Sequence, residues 1–182
     1  MQRRIAVCGA PTVGKTTLLS SLINLTGAEI PIRRSSDLET IVRVDIKEPT
    51  RQTSLMTISG NFFYSQTTVL PWLVTGVHVI VYVSSAIPPH FDQEWYLGAG
   101  GDEAARQTMF WDIYTKHAAA VGSLWTSIPW IFVLNKIDLG NHNPLLSRIP
   151  AEFHDQVIRC TATESVGIPQ LWIRIQEVTG PL

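Results

Sequence analysis

The stretch Gly9-Ala10-Pro11-Thr12-Val13-Gly14-Lys15-Thr16 fits Gly-x-x-x-x-Gly-Lys-[Ser/Thr], and its flanks decide how it is read. The apolar run Ile5 to Cys8 before it predicts a strand. Thr16 to Leu25 after it predicts a helix with Leu18, Leu19, Leu22 and Ile23 on one face, ending at Thr26-Gly27. Strand, glycine-bounded loop and helix in that order make a cradle for a polyphosphate. The glycines let successive backbone N–H groups turn toward the anion, Lys15 reaches the outer phosphates, and the Thr16 hydroxyl can ligate magnesium. The positive end of the helix points at the same place. Gly9, Thr12, Val13, Gly14, Lys15, Thr16 and Thr17 are therefore the candidate phosphate-binding residues, with Thr16 also a candidate metal ligand.

The whole chain suits that reading. Its 182 residues are 45% apolar and 16% charged, as in one globular domain spanning 1–182, with an irregular insertion at about 84–101. A net charge of -1 offers no general attraction to nucleic acid or to an anionic membrane. Cys8 and Cys160 fall at the ends of predicted strands, where cysteine serves as a small apolar residue, and a reducing compartment fits. Val69 to Val83 is interrupted by Pro71, Thr75, Gly76 and His78 and is too short to span a bilayer. No signal-peptide core, prenylation cysteine or myristoylation glycine is present. The expectation is a cytoplasmic protein without a membrane anchor of its own.

Six apolar runs predict strands: Ile5 to Cys8, Ile41 to Ile46, Leu55 to Ser59, Val77 to Val83, Trp130 to Leu134 and Val157 to Cys160. Helical patterns lie between most of them. In the last one Gly167 precedes Pro169, and Leu171, Trp172, Ile175 and Val178 form the inner face. Alternation of this kind predicts a three-layer α/β sheet with its ligand at the strand carboxyl ends. The short link around Lys47 to Arg51 predicts a hairpin, hence an antiparallel edge strand at Ile41 to Ile46. Residues 27 to 40 read as a long exposed loop, and a helix is expected from about Asp102 to Val121. Trp95, Trp111, Trp125 and Trp130 crowd one third of the chain, as core packing around the insertion or as a partner-binding surface.

Asn135-Lys136-Ile137-Asp138 follows the fifth run directly. Guanine presents two adjacent donors, its ring N–H and its amine, and one carboxylate such as Asp138 accepts both. Adenine would leave a carboxylate oxygen unpaired, at a cost of about 1 to 3 kcal/mol. Asn135 can tie this loop to the phosphate loop, and the Lys136 stem can lie along the base plane. An ordinary polar turn has the same composition, so placement after a buried strand carries the reading. After the last strand comes Cys160-Thr161-Ala162-Thr163, where a backbone N–H can reach the guanine carbonyl. Thr161, Ala162 and Thr163 join Asn135, Lys136 and Asp138 as candidate base-binding residues.

With both motifs in place, the chain resembles the Ras-like small GTPases over nearly its whole length, and over residues 57 to 64 it looks like the bacterial MglA-type polarity GTPases. The resemblance implies a P-loop NTPase three-layer sandwich with a Ras-like six-stranded, mostly parallel sheet and one antiparallel edge strand. It implies GTP/GDP and Mg2+ as ligands and switch loops at roughly 30–40 and 57–70. Most Ras-like proteins carry Asp-x-x-Gly after the third strand. Here Thr57-Ile58-Ser59-Gly60 stands in its place, as in the MglA type, and Asp45 is a candidate to replace the lost carboxylate.

By resemblance Gly60 would bond the γ-phosphate, Thr40 would complete the metal shell, and Asn61 occupies the position of the water-orienting glutamine, one methylene shorter. Glu39 stands where MglA-type proteins have an arginine; Arg33 or Arg34 is a candidate substitute. Slow GTP hydrolysis is expected, assisted by an activating protein, in the MglA type a small roadblock-type one, and read by effector proteins. Two other readings stay open: a guanine-nucleotide-binding interaction module that hydrolyses nothing, and an ATPase or kinase on the same loop.

Overall fold

The computed structural model describes residues 2–9, 13–27, 41–47, 52–58, 70–71, 73–85, 115, 118–120, 122–139 and 157–180. Its strands are β1 (Gln2–Gly9), β2 (Ile41–Lys47), β3 (Gln52–Ile58), β4 (Val79–Ser85), β5 (Trp130–Asn135) and β6 (Val157–Arg159). Its named helices are α1 (Lys15–Leu25), α2 (Ser123–Ser127) and α3 (Ile168–Thr179). The strands form one sheet in the order β2-β3-β1-β4-β5-β6. β2 runs antiparallel to β3 at one edge and every other pair is parallel. This is the six-stranded, mostly parallel α/β architecture expected from the alternation of apolar runs and helices.

Parallel strands covered on both faces must be apolar throughout, and their successive side chains serve opposite layers. In β1, Ile5 and Val7 join Val81 and Val133 on the face that packs under Leu18, Leu22, Leu171 and Ile175 of α1 and α3. Ala6 and Cys8 join Ile80, Tyr82 and Phe132 on the other face, against Leu70, Leu73 and Val74. β1 lies between β3 and β4, where the strand order reverses direction, and such sheets open a ligand crevice there at their carboxyl ends.

Several strand boundaries differ from the sequence expectation, and β1 starts at Gln2 rather than Ile5 because Gln2, Arg3 and Arg4 pair with Gln52, Thr53 and Ser54. β3 starts at Gln52 rather than Leu55, because Thr53 and Ser54 pair with Ile46 and Asp45 although neither belongs to an apolar run. β4 starts at Val79 rather than Val77: the Val77 N–H bonds back to the Val74 carbonyl, closing the preceding turn. Of the expected helix at 102–121, only Thr115 and residues 118–120 are described, and they are helical. Trp95 and Trp111 lie outside the described residues, while Trp130 packs on Phe132 with ring centroids 6.1 Å apart.

The carboxyl end of β6 returns to α3 through Gly167, the N-cap, at φ 75°. A Cβ at Gly167 would collide with the Arg159 carbonyl, whereas one at Gly27 (φ 68°) meets nothing within 4 Å among the described residues. Gly167→Ala should therefore cost roughly 2 to 4 kcal/mol and Gly27→Ala about 1 kcal/mol in urea unfolding. Equal costs would mean that α3 does not pass over β6 as closely as described.

Candidate functional site

At the carboxyl end of β1 the chain turns through Gly9, at φ 137°, where a Cβ would collide with the Val83 carbonyl of β4. Val13 and Gly14 then lead into α1. Gly14 is the N-cap at φ 94°, a left-handed conformation that glycine adopts without strain. A Cβ here would collide with the Asn135 side-chain amide and lie 4.0 Å from Lys136 Cε. No side-chain cap is seen on α1 among the described residues. The first N–H groups of such a helix point out of its end, toward an acceptor.

Lys15 opens the helix, only 5% exposed, and its Nζ donates to the Gly9 carbonyl at 3.0 Å. Burial lowers its pKa to about 8, opposed by the charge of a Cys8 thiolate. The Cys8 thiol is itself pushed up to about 12 by burial, with Lys15 drawing it down, so it is neutral at ordinary pH. Thr16 and Thr17 are exposed in the first turn.

Asn135 ends β5 and is 2% exposed. Its Nδ2 donates to the Val13 carbonyl at 2.9 Å, and its Oδ1 accepts the Ala162 N–H at 3.1 Å. The Ala162 carbonyl in turn accepts the Ser21 hydroxyl of α1 at 2.6 Å. Next to Ala162, the Thr161 hydroxyl donates to Asp138 Oδ1 at 3.1 Å, orienting an exposed carboxylate. Lys136, at φ 61°, is half-buried. Desolvation lowers its pKa, with Asp138 pulling the other way. Thr163 is exposed on the 3-10 turn Ala162–Glu164.

The structure thus brings three separate segments, 13–17, 135–138 and 161–163, to one edge of the sheet. Of the backbone N–H groups at 161–163 considered for a base carbonyl, that of Thr161 is engaged by the Val166 carbonyl and that of Ala162 by Asn135. Thr12, Thr40, Gly60 and Asn61 lie outside the described residues. Sequence reading missed Ser21, whose only signal was a hydroxyl on the buried side of an apolar helix.

Two findings concern the carboxylate missing from the third strand. Thr57 is fully buried, and its hydroxyl donates to the Val7 carbonyl of β1 at 2.8 Å. Asp45 does not replace it. It pairs in register with Ser54, three residues before Thr57, and is held by Arg43 at 3.0 Å and by the Ser54 hydroxyl. Three residues of strand put it about 10 Å toward the opposite end of the sheet. Bonds to Ser54 and Arg43 hold its carboxyl below the usual range although burial pushes the other way.

Among the described residues no group of three or more His, Cys, Asp or Glu side chains could hold a metal ion. The exposed Thr16 hydroxyl is a hard oxygen donor of the kind magnesium takes, with the remaining positions left to water and phosphate oxygens. The edge as a whole offers what a polyphosphate with an attached base needs: helix-end amides, a buried ammonium, and a carboxylate at fixed orientation beside them. No helix among the described residues is long and apolar enough to cross a membrane.

No family model matches the chain, and no curated protein does. Solved structures do. The Arl6 BBS3 small GTPase from Trypanosoma brucei, with the nucleotide analogue GppNp, aligns at a TM-score of 0.67 and 11% identity over 98% of both chains. A variant of Era from Aquifex aeolicus bound to GDP and AlF4- aligns at 0.63 and 21% identity, over 100% of this chain and 58% of that one. The G domain of the T. maritima FeoB iron transporter aligns at 0.58 and 14% identity, over 99% and 100%. Likeness at these identities establishes the fold, a P-loop GTPase-type three-layer sandwich.

Asn135→Ala would strand two buried backbone groups, the Val13 carbonyl and the Ala162 N–H. It should cost about 2 to 4 kcal/mol in urea unfolding of the ligand-free protein. Asp138→Ala, at an exposed position, should cost under about 1 kcal/mol. Similar small losses for both would show that Asn135 does not join the loops.

Proposed function

We propose that this chain is a cytoplasmic guanine-nucleotide-binding protein of the Ras-like type, hydrolysing GTP slowly and acting as a switch. The observation that carries the reading is the chain of bonds from Val13 through Asn135 to Ala162, with Asp138 oriented by the neighbouring Thr161. It joins the loop of Asp138 to the segment leading into Lys15, which supports reading the first as the base site and the second as the phosphate site. The solved structures with similar folds, two of them bound to guanine nucleotides, support the same reading.

In this reading Gly14 and the α1 amides hold phosphate oxygens, Lys15 offsets their charge, and Thr16 ligates magnesium. Magnesium, when bound, neutralises charge on the outer phosphates. Asp138 takes the two adjacent donors of guanine, and Lys136, whose stem reaches over Gly14, lies along the ring. Gly60, Asn61 and Thr40 would serve the γ-phosphate, the attacking water and the metal shell. An activating protein, of roadblock type if the MglA likeness holds, would complete the charge compensation, and effectors would read the loops at 30–40 and 57–70.

The second reading is a module that keeps guanine nucleotide without hydrolysing it. It is favoured by Thr57, a neutral side chain engaged with Val7 where most Ras-like proteins place a carboxylate.

Competition of GTP and ATP for the purified protein tests the base assignment. ATP should bind at least tenfold more weakly. Asp138→Asn, whose amide donates where guanine also donates, should shift preference toward xanthine nucleotides; equal affinity for GTP and ATP overturns the assignment. Phosphate release from bound GTP on adding magnesium supports the switch, and retention of intact GTP with no release assigns the module.

A pH dependence follows from Lys15. In the ligand-free protein its ammonium loses a proton as pH rises through about 8, whereas a phosphate beside it would keep it charged. Binding then takes up a proton above that pH, and GDP affinity falls with rising pH, by up to about tenfold per unit. Calorimetry at about pH 8.5 in buffers of different ionisation enthalpy reads the uptake directly; no uptake would mean that Lys15 is not desolvated before binding.

A further inference from the structure

Ser21 sits one turn beyond Thr17 on α1, 8% exposed, in a stretch that neither nucleotide motif covers. A helical serine commonly returns its proton to the carbonyl four residues back, and the Thr17 carbonyl lies 3.1 Å away. The Ala162 carbonyl is nearer, at 2.6 Å and 141 residues distant in the chain. A hydroxyl has one proton, and the shorter contact claims it. Both backbone polar groups of Ala162 are then clamped by side chains from other elements: its N–H by Asn135 and its carbonyl by Ser21.

The two clamps differ in what they join. Asn135 connects Ala162 to the phosphate loop at Val13, and Ser21 connects it to the helix whose first turn carries Lys15 and Thr16. The Asn135 clamp holds the 161–162 peptide through its N–H and the Ser21 clamp holds the 162–163 peptide through its carbonyl, so the Ala162 backbone is fixed between the phosphate loop and α1. Thr161 shares the first of these peptides, whose carbonyl also accepts the Glu164 and Val166 N–H groups, and its hydroxyl donates to the Asp138 carboxylate. The orientation of the base-reading group is thus referred to the phosphate-binding helix through Ser21.

We propose that Ser21 is a positioning residue for purine recognition, acting through Ala162 and Thr161 on Asp138 and touching no ligand itself. The proposal rests on the guanine-nucleotide reading above. It separates two contributions to affinity: phosphate contacts, which Ser21 leaves alone, and base contacts, which it sharpens.

The test is binding of GDP, IDP and pyrophosphate to the wild-type protein and to Ser21→Ala and Ser21→Thr. IDP lacks only the amine that Asp138 would accept. Wild type should prefer GDP over IDP. Ser21→Ala should bind GDP about tenfold more weakly, lose most of that preference, and keep its pyrophosphate affinity. Ser21→Thr, which retains the hydroxyl, should restore the preference. If the alanine variant does not fold, Ser21→Cys, of similar size with a weaker donor, gives the same ratio. A wild-type protein that does not distinguish GDP from IDP overturns the guanine reading and this proposal with it. Discrimination in wild type that Ser21→Ala leaves unchanged overturns the role of Ser21 alone. So does an equal loss for all three ligands, which is what a purely structural serine would produce.

Discussion

The side-chain amide of Asn135 holds the ligand edge together because it is used from both ends at once. Its nitrogen donates to Val13 and its oxygen accepts from Ala162, so two loops 122 and 27 residues away in sequence meet across one planar group. An aspartate would have no donor for Val13, and an aliphatic residue would strand both backbone groups in a buried place. Other features follow from this amide. Gly14 must lack a side chain because the amide occupies that space, and the Ala162 peptide is oriented by it. Thr161, one residue before, is thereby placed to aim Asp138.

The other half of the edge depends on close packing. Gly9 lets β1 and β4 approach so tightly that no Cβ fits, and Lys15 folds back against that turn rather than into water. A cation kept from water interacts more strongly with an anion than an exposed one does, and it yields its proton more readily while it waits. The buried Cys8 beside it stays a neutral thiol and gives the lysine no thiolate. One of the bonds of Lys15 is to the Gly9 carbonyl, an acceptor that a phosphate oxygen can replace.

Thr57 shows how a position can change its work while the fold stays the same. Its hydroxyl is spent between two core strands, on the Val7 carbonyl with which it is in register. Asp45 and Arg43 form a separate polar group along the edge strand β2, joined to Ser54. The carboxyl edge of the sheet carries the buried Lys15 on one segment and the half-buried Lys136 with the exposed Asp138 on another.

Much of this was legible in the residues alone, because it rests on short-range spacing. A phosphate loop is defined by eight consecutive positions, Asn135 to Asp138 by four, and the antiparallel β2 by the brevity of the link after Lys47. The alternation of apolar runs with helices was enough for the sheet class. What the sequence could not decide was which polar groups meet across the fold. Ser21 reads as a filler in an apolar helix, Thr57 as the place of a missing carboxylate and Asp45 as its candidate replacement, until packing puts the first against Ala162 and register puts the second against Val7 and the third about 10 Å away. Hydrogen bonds between residues 50 or 141 positions apart, and the desolvation that lowers the pKa of Lys15, exist only once the strands are paired and the helix is packed, since both depend on what surrounds a group rather than on what precedes it in the chain.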